Sequence, residues 1–435
     1  MEVRPESYDA ELAAKVAGVR ATFDAARVPL PPPAAVAVRE SARSHFRQRA
    51  EFDVYGCRAP EERGFYAMNV RDASGRRVPV EIARFPFGSE RINALMPALL
   101  AGLAARDATL RRGVFQANFL TTRAGGAIVT LIYRRPLDAA AWLPDAEALR
   151  VELGLDGLIG RSRGQKLVAG SEAVTEVLQV GGKALRYRQL EDTFSQSNAG
   201  VAEHMLRWAA DAAGAADADA DAATEEAAPR DDDLLELYCG CVPFFPFSLF
   251  LVCRCASHVP DPACGGRSGN FTVALAPRFR RVLATEVSKA AVATAVHNLA
   301  ANGVTNVALG RVSAEELREA MEGVRPFERL RHIPLEQLRL NTVLVDPPRA
   351  GCGAEVTQFL GRFGRIVYIS CNPATMAEDV ARLRDTHRVA RFAVFDQFPY
   401  TPHVECGALL VRREAQRGGL LGRALRFARR KLLGW

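Results

Sequence analysis

At 435 residues the chain has length for two or three domains, and its 49% apolar and 25% charged residues are those of a soluble globular protein rather than a fibrous or low-complexity one. No apolar run approaches the roughly 18 residues of a transmembrane helix, and nine scattered cysteines form no disulfide framework and suit a reducing compartment. The net charge of +7 understates the basic surface: residues 209–233 hold nine acids and one arginine, a local −8, so the rest of the chain carries +15, a balance compatible with a polyanion such as nucleic acid.

Met1-Glu2-Val3-Arg4-Pro5-Glu6 has neither a signal h-region nor a transit pattern, so the cytoplasm is expected, with nucleus and organelle open. Leu12, Val16, Val19 and Phe23 share one face of a helix predicted over 10–27, which prolines 29 and 31–33 end. Alternation over 44–55 predicts a strand with His45, Arg47, Arg49, Glu51 and Asp53 on one face, able to meet phosphates or simply solvated. Strands are expected at 65–70, 78–83, 114–121 and 127–133, and a helix at 89–105. Phe115, beside Gln116, is a residue type that can stack on an unpaired base or fill a core. Arg161, Arg163 and Lys166 form a basic cluster read as a loop. Residues 1–190 therefore read as an N-terminal α+β domain rich in antiparallel strands.

An amphipathic helix over 201–213 follows, then the acidic Ala/Asp stretch 209–233, read as a solvated linker. From 234 the pattern becomes strand–helix–strand, with strands at 234–238, 281–286, 306–309, 342–346 and 365–369 and a closing pair at 391–395 and 408–411. Such alternation predicts a parallel, doubly wound α/β sheet over 191–413. The basic tail 414–435 has helical spacing, as a surface-binding or merely solvated helix would.

In a doubly wound sheet the carboxyl ends of the strands share one crevice. Those ends carry Tyr238-Cys239-Gly240, Glu286, Asp346-Pro347-Pro348-Arg349 and Ser370-Cys371-Asn372-Pro373, and the segment 395–407 brings Glu405. An acid after the second strand suits ribose hydroxyls. A cysteine between a strand end and a helix start gains thiolate character from the helix dipole, although a lone cysteine is as readily a core residue. No Gly-x-x-x-x-Gly-Lys loop is present, which argues against an NTPase.

Leu235 to Gly240, Gly269-Asn270-Phe271-Thr272, Asp346 to Arg349, Ile369 to Pro373 and Phe395 to Gly407 together closely resemble the RNA uracil-5-methyltransferases, and His45 to Phe52 resembles their tRNA branch, which modifies the T-loop uridine. The resemblance spans about residues 8–412. It implies a class I S-adenosylmethionine-dependent methyltransferase fold, an N-terminal RNA-binding domain and tRNA, through its T-arm, as substrate. The expected product is 5-methyluridine at position 54. It further implies Cys371 as the nucleophile that adds to uracil C6 and Glu405 as the base that removes the C5 proton. Gln196, Tyr238, Asn270, Glu286 and Asp346 match positions lining the methyl-donor site. Arg47, Arg49 and Phe115 are the candidate RNA contacts. Only Cys57 precedes Cys239, so neither an iron–sulfur cluster nor another metal is expected.

Three departures stand out. Ser197 replaces the usual Pro after Gln196, and Pro402 stands where the family usually has a first His. Between Gly240 and Gly269 the family has one residue, whereas this chain has 28, residues 241–268. Since a tight turn brings backbone to the donor, this insert bears on function. It reads as a translated intron or gene-model error, as a looped-out insert that leaves the turn intact, or as a metal site of Cys241, Cys253, Cys255 and Cys264. Alternatives to the tRNA methyltransferase reading are a tRNA-binding or folding factor impaired by the insert, and an rRNA uracil-5-methyltransferase.

Overall fold

The computed structural model describes residues 3–413 apart from 58, 60, 73, 74, 194, 215–229 and 241–269. The core of the acidic stretch, the 241–268 insert with its four cysteines, Gly269 and the basic tail therefore lie outside the described residues. In chain order the first part comprises α1 (Tyr8–Ala25), β1 (Val36–Arg39), β2 (Arg49–Tyr55), β3 (Phe65–Arg71), β4 (Arg77–Ile82), α2 (Glu90–Ala104), β5 (Val114–Thr121), β6 (Ala127–Tyr133), α3 (Ala139–Glu152), β7 (Gly157–Ser162), β8 (Gln165–Gly170), β9 (Ala173–Val180) and β10 (Lys183–Leu190). The second comprises α4 (Ala199–Gly214), β11 (Asp233–Leu237), α5 (Asn270–Leu275), β12 (Val282–Thr285), α6 (Lys289–Ala301), β13 (Val307–Gly310), α7 (Ala314–Met321), β14 (Leu340–Val345), α8 (Gly353–Leu360), β15 (Arg365–Ser370), α9 (Pro373–Leu383), β16 (His387–Phe395) and β17 (Glu405–Arg412).

Seven strands form the first sheet in the order β4-β3-β2-β5-β6-β7-β8, antiparallel except for β6 beside β7. Alternation in β2 turns Ala50, Phe52 and Val54 inward, where the Phe52 ring meets Phe85 and Phe119 edge-on. Ser89 caps α2, its Oγ accepting from Ile92 N at 3.2 Å.

The second sheet runs β1-β16-β17-β15-β14-β11-β12-β13. Only β17 is antiparallel to its neighbours. Strands β11, β12 and β15 are buried along their whole length, as parallel strands covered on both faces must be. The expected doubly wound α/β sheet is therefore present.

Two expectations change. The strand predicted over 44–55 begins only at Arg49: His45 has φ 56 and its N–H bonds to Pro86 O, which no ladder allows, while Arg47 makes isolated bridges to Gly88 and Asn198. The basic cluster at 161–166 is not a loop but the β7–β8 hairpin, turning through Arg163 and Gly164 at positive φ, and Arg161 and Lys166 pair with Glu191. The hairpin β9–β10 went unassigned, although β9 alternates along its whole length. Elements on both sides of residue 190 share the second sheet and its core. Strand β1 is an edge of the second sheet, α1 packs on α9, and Leu178, Val180 and Tyr187 of the hairpin join the core formed by α4 and the second sheet. The antiparallel sheet is thus inserted, at about residues 40–170, into a unit that the chain starts and finishes.

Candidate active site

The order of the second sheet reverses between β14 and β11, so their carboxyl ends open a crevice. Leu237 pairs with Val345, which sets Tyr238 and Asp346, the next residues, side by side. Cys239 N donates to Thr285 O at 3.0 Å and so draws the end of β11 against the end of β12. Glu286 follows β12, and its carboxylate accepts from Gly240 N at 3.0 Å and Ser288 N at 2.7 Å. Burial raises the Glu286 pKa against the opposing pull of these N–H groups. Tyr238 holds φ 63, a left-handed conformation that costs a residue with a Cβ about 1–2 kcal/mol and is kept only where surroundings enforce it.

Strand β15 ends at Ser370, which pairs with Cys406 on β17; Cys371 is the next residue after that last rung, and Glu405 is the residue before Cys406 on the facing strand. Among the described cysteines Cys57, Cys239, Cys352 and Cys406 are buried, and Cys371 is the one partly open to solvent. Burial pushes the thiols of Cys239, Cys352 and Cys406 well up, and the nearby Glu405 carboxylate pushes Cys406 further, which keeps all three inert. Behind Cys371, Asn372 caps α9 by accepting from Ala374 N, with Pro373 at the first helical position. Cys371 thus directly precedes the N-cap of α9.

The Asp346–Arg349 loop is fastened to this helix. Arg349 O accepts from Asn372 Nδ2 at 2.8 Å and Thr375 Oγ1 at 3.1 Å. Asp379 of α9 accepts from Cys352 N, Tyr368 Oη, Thr357 Oγ1 and Arg382, joining α8, α9 and β15 through one buried carboxylate. In front of Cys371 lies a cleft of about 710 Å³ whose walls include Arg349, His403 and Tyr400, and also Glu11, Lys15 and Thr22 of α1. Arg349 Nη2 meets His403 Nδ1 at 3.0 Å across it.

Glu405 opens β17 and is fully buried. The segment 396–404 leading to it carries Gln397, whose amide donates to Gln196 Oε1, so Gln196 joins the same wall. Asn270 begins α5, and its carbonyl accepts from Tyr187 Oη at 3.0 Å. Cys371, Glu405, Tyr238, Glu286 and Asp346 thereby lie at one end of the second sheet's strands, with Gln196 tied to the segment before Glu405 and Asn270 at the helix after the first strand's turn.

The three candidate RNA contacts belong to the first sheet and its approach. Arg47 lies in the stretch before β2, where its main chain bonds Phe87 and Ser89. Phe115 is half-buried under the Arg134 guanidinium, 4.9 Å from the ring centre. Arg49 corrects the expectation. Its guanidinium donates to the carbonyls of Leu190, Glu191 and Thr193, so it braces β2 against the turn after β10 instead of presenting a free fork. Residue-level reading also missed Gln397 and Lys15. The first lies within a quoted motif, whereas nothing local to the second announces it.

The donor set fits S-adenosylmethionine. Glu286 gives one lone pair per oxygen to main-chain N–H groups and keeps further acceptor capacity for ribose hydroxyls, whose donation would compensate its burial. Tyr238 and Asp346 flank the switch point where such a ligand lies. Among the described residues no cluster of His, Cys, Asp and Glu is arranged to hold a metal.

The family model for tRNA (Uracil-5-)-methyltransferase matches residues 7–255 and 261–413, breaking only inside the insert. A tRNA/tmRNA (uracil-C(5))-methyltransferase of Azotobacter vinelandii is 47% identical over 412 residues, which cover 94% of this chain and 98% of the relative. The protein of that name from Pseudomonas putida is 46% identical over 409 residues, with the same two coverages. Among solved structures, the tRNA (uracil-54, C5)-methyltransferase of Pyrococcus abyssi in complex with S-adenosyl-L-homocysteine shares the fold, with a TM-score of 0.62 at 20% identity over 93% of this chain and 83% of that one. Matched over nearly its whole length, the chain belongs to the tRNA (uracil-5-)-methyltransferase family, enzymes that use S-adenosylmethionine.

Proposed function

We propose that the protein methylates C5 of the T-loop uridine at position 54 of tRNA through a covalent adduct between Cys371 and C6. The observation that supports this reading is that the one partly open described cysteine, just before a helix N-terminus, and a buried carboxylate flank the last rung, Ser370 with Cys406, of the β15–β17 ladder. Uracil C5 is a weak nucleophile. Addition of the Cys371 thiolate to C6 pushes the C5–C6 electron pair toward O4, and the resulting enolate is nucleophilic at C5. S-adenosylmethionine, when bound, supplies an electrophilic methyl group to that carbon. Glu405 then takes the C5 proton, the Sγ–C6 bond breaks and the double bond returns.

The T-loop base must leave its stack to reach the cleft. Phe115 and Arg47, on the inserted sheet and its approach, are the residues we assign to holding the T-arm, and the setting is the cytoplasm, where tRNA is modified. Among the described residues no helix is long and apolar enough to cross a membrane. The test uses unmodified tRNA transcripts and S-adenosylmethionine labelled in the methyl group. Label should enter wild-type tRNA and be lost when U54 is replaced by C. Label entering rRNA instead, or tRNA bound tightly without label, would overturn the reading.

A further inference from the structure

The cleft in front of Cys371 is closed on one side by α1, whose Glu11, Lys15 and Thr22 recur at helical spacing. Lys15 is the singular residue of that face. Its Nζ lies 2.6 Å from Asp396 Oδ1 and 2.8 Å from Phe398 O, and the two side chains are 9% and 1% exposed. A buried ion pair adds little net stability, because desolvating both charges offsets their attraction; what such a pair does supply is a fixed geometry.

The geometry here concerns the segment 396–404. It leaves β16 at Phe395 and re-enters the sheet at Glu405, and these two residues are paired across the strands. Asp396 stands at its first position. Asp396 N donates to Arg39 O at 2.9 Å, Thr401 Oγ1 shares Phe398 O with Lys15, and Tyr400 sits at φ 61. A segment with a left-handed non-glycine residue needs outside restraint to hold one course. Lys15, 381 residues away in sequence from Asp396, provides it from a helix that also packs on α9, the helix behind Cys371.

We infer that Lys15 is a positioning residue for Glu405: through Asp396 and Phe398 it fixes the segment that sets the base against the Cys371 adduct. The inference rests on the covalent reading proposed above. Glu405 is needed after methyl transfer, so its displacement should slow resolution of the adduct more than its formation.

The test incubates purified full-length wild type and Lys15→Met with tRNA transcript and S-adenosylmethionine, with Glu405→Gln and Cys371→Ala as controls. Turnover, tRNA affinity, melting temperature and the denaturant-resistant protein–RNA adduct are measured. Lys15→Met should lose on the order of 10- to 100-fold in turnover, the scale of a roughly 1 Å misplacement. Its tRNA affinity should stay within about two-fold, since Lys15 acts after binding. It should accumulate adduct as Glu405→Gln does, and Lys15→Arg should restore much of the turnover. If Lys15→Met does not fold, Lys15→Gln, neutral and still able to donate to Phe398 O, carries the same readout. Adduct in Glu405→Gln but none in a slowed Lys15 variant, or unchanged turnover in Lys15→Met, overturns the inference. Absence of adduct from Glu405→Gln as well overturns the covalent reading first and this role with it.

Discussion

Exposure, more than residue type, sorts the cysteines. The placement of Cys371 was legible in sequence because a strand, a cysteine, an Asn cap and a Pro at N1 are local features, and the antiparallel return of β17 begins at Glu405. That of Lys15 was not, since its partner is nearly the whole chain away. Arg49 misled for the complementary reason: alternation says which face a side chain takes and nothing about whether backbone carbonyls of a distant turn already occupy it. Two predictions belong to this scale. Asp379→Ala removes a buried acceptor of four donors and should destabilise the protein by about 3 kcal/mol, read by denaturant unfolding, because the donors lose a charged partner. Glu176 of β9 is buried and its pKa is raised to about 7, chiefly by desolvation, against the N–H groups of Arg123 and Val177. Its folded pKa exceeds the unfolded one, so stability is greatest below the unfolded value and falls as pH rises toward about 7. Glu176→Gln should therefore raise the melting temperature at pH 8 and leave it nearly unchanged at pH 4, where both states are protonated.

Elements with one clear period were readable at the level of sequence. Strands β5 and β6 run over the residues expected, and α1 and α2 differ only at their ends. The approach to β2 was not readable, because His45 at φ 56 breaks a strand whose residue pattern continues through it. The first turn of the second sheet is the other hard case. Its two flanks are anchored from outside the insert, Gly240 N on Glu286 and Asn270 O on Tyr187 Oη. Two outcomes follow. Replacing 241–268 by the single residue the family uses should leave S-adenosylmethionine affinity unchanged or tighter by calorimetry; loss of binding would show the insert to be part of the cradle. Glu286→Ala should weaken that affinity on the order of 10- to 100-fold, the worth of a charged hydrogen-bond acceptor, with little change in tRNA binding.

For the whole molecule, sheet topology joins residues from both ends of the chain. The second sheet takes its edge from β1 and its cleft wall from α1, and the first sheet is joined at its root to the stretch before α4: Gln48 N bonds Ser197 O at 2.7 Å, one residue from Gln196. Sequence order alone cannot show that the first 39 residues return to a sheet made 200 residues later. The basic body, +15 outside the acidic stretch, predicts that tRNA affinity falls steeply with salt, whereas a binding mode ruled by shape alone would be nearly flat. The proposed mechanism turns on one bond, between Cys371 Sγ and C6 of the target base. Transcripts carrying 5-fluorouridine have no C5 proton for Glu405 to remove, so a methylated adduct should stay locked to the protein. Tandem mass spectrometry of that species should find one peptide, containing Cys371, joined to nucleotide 54. A methylated tRNA with no attached peptide, or attachment through another cysteine, would contradict it.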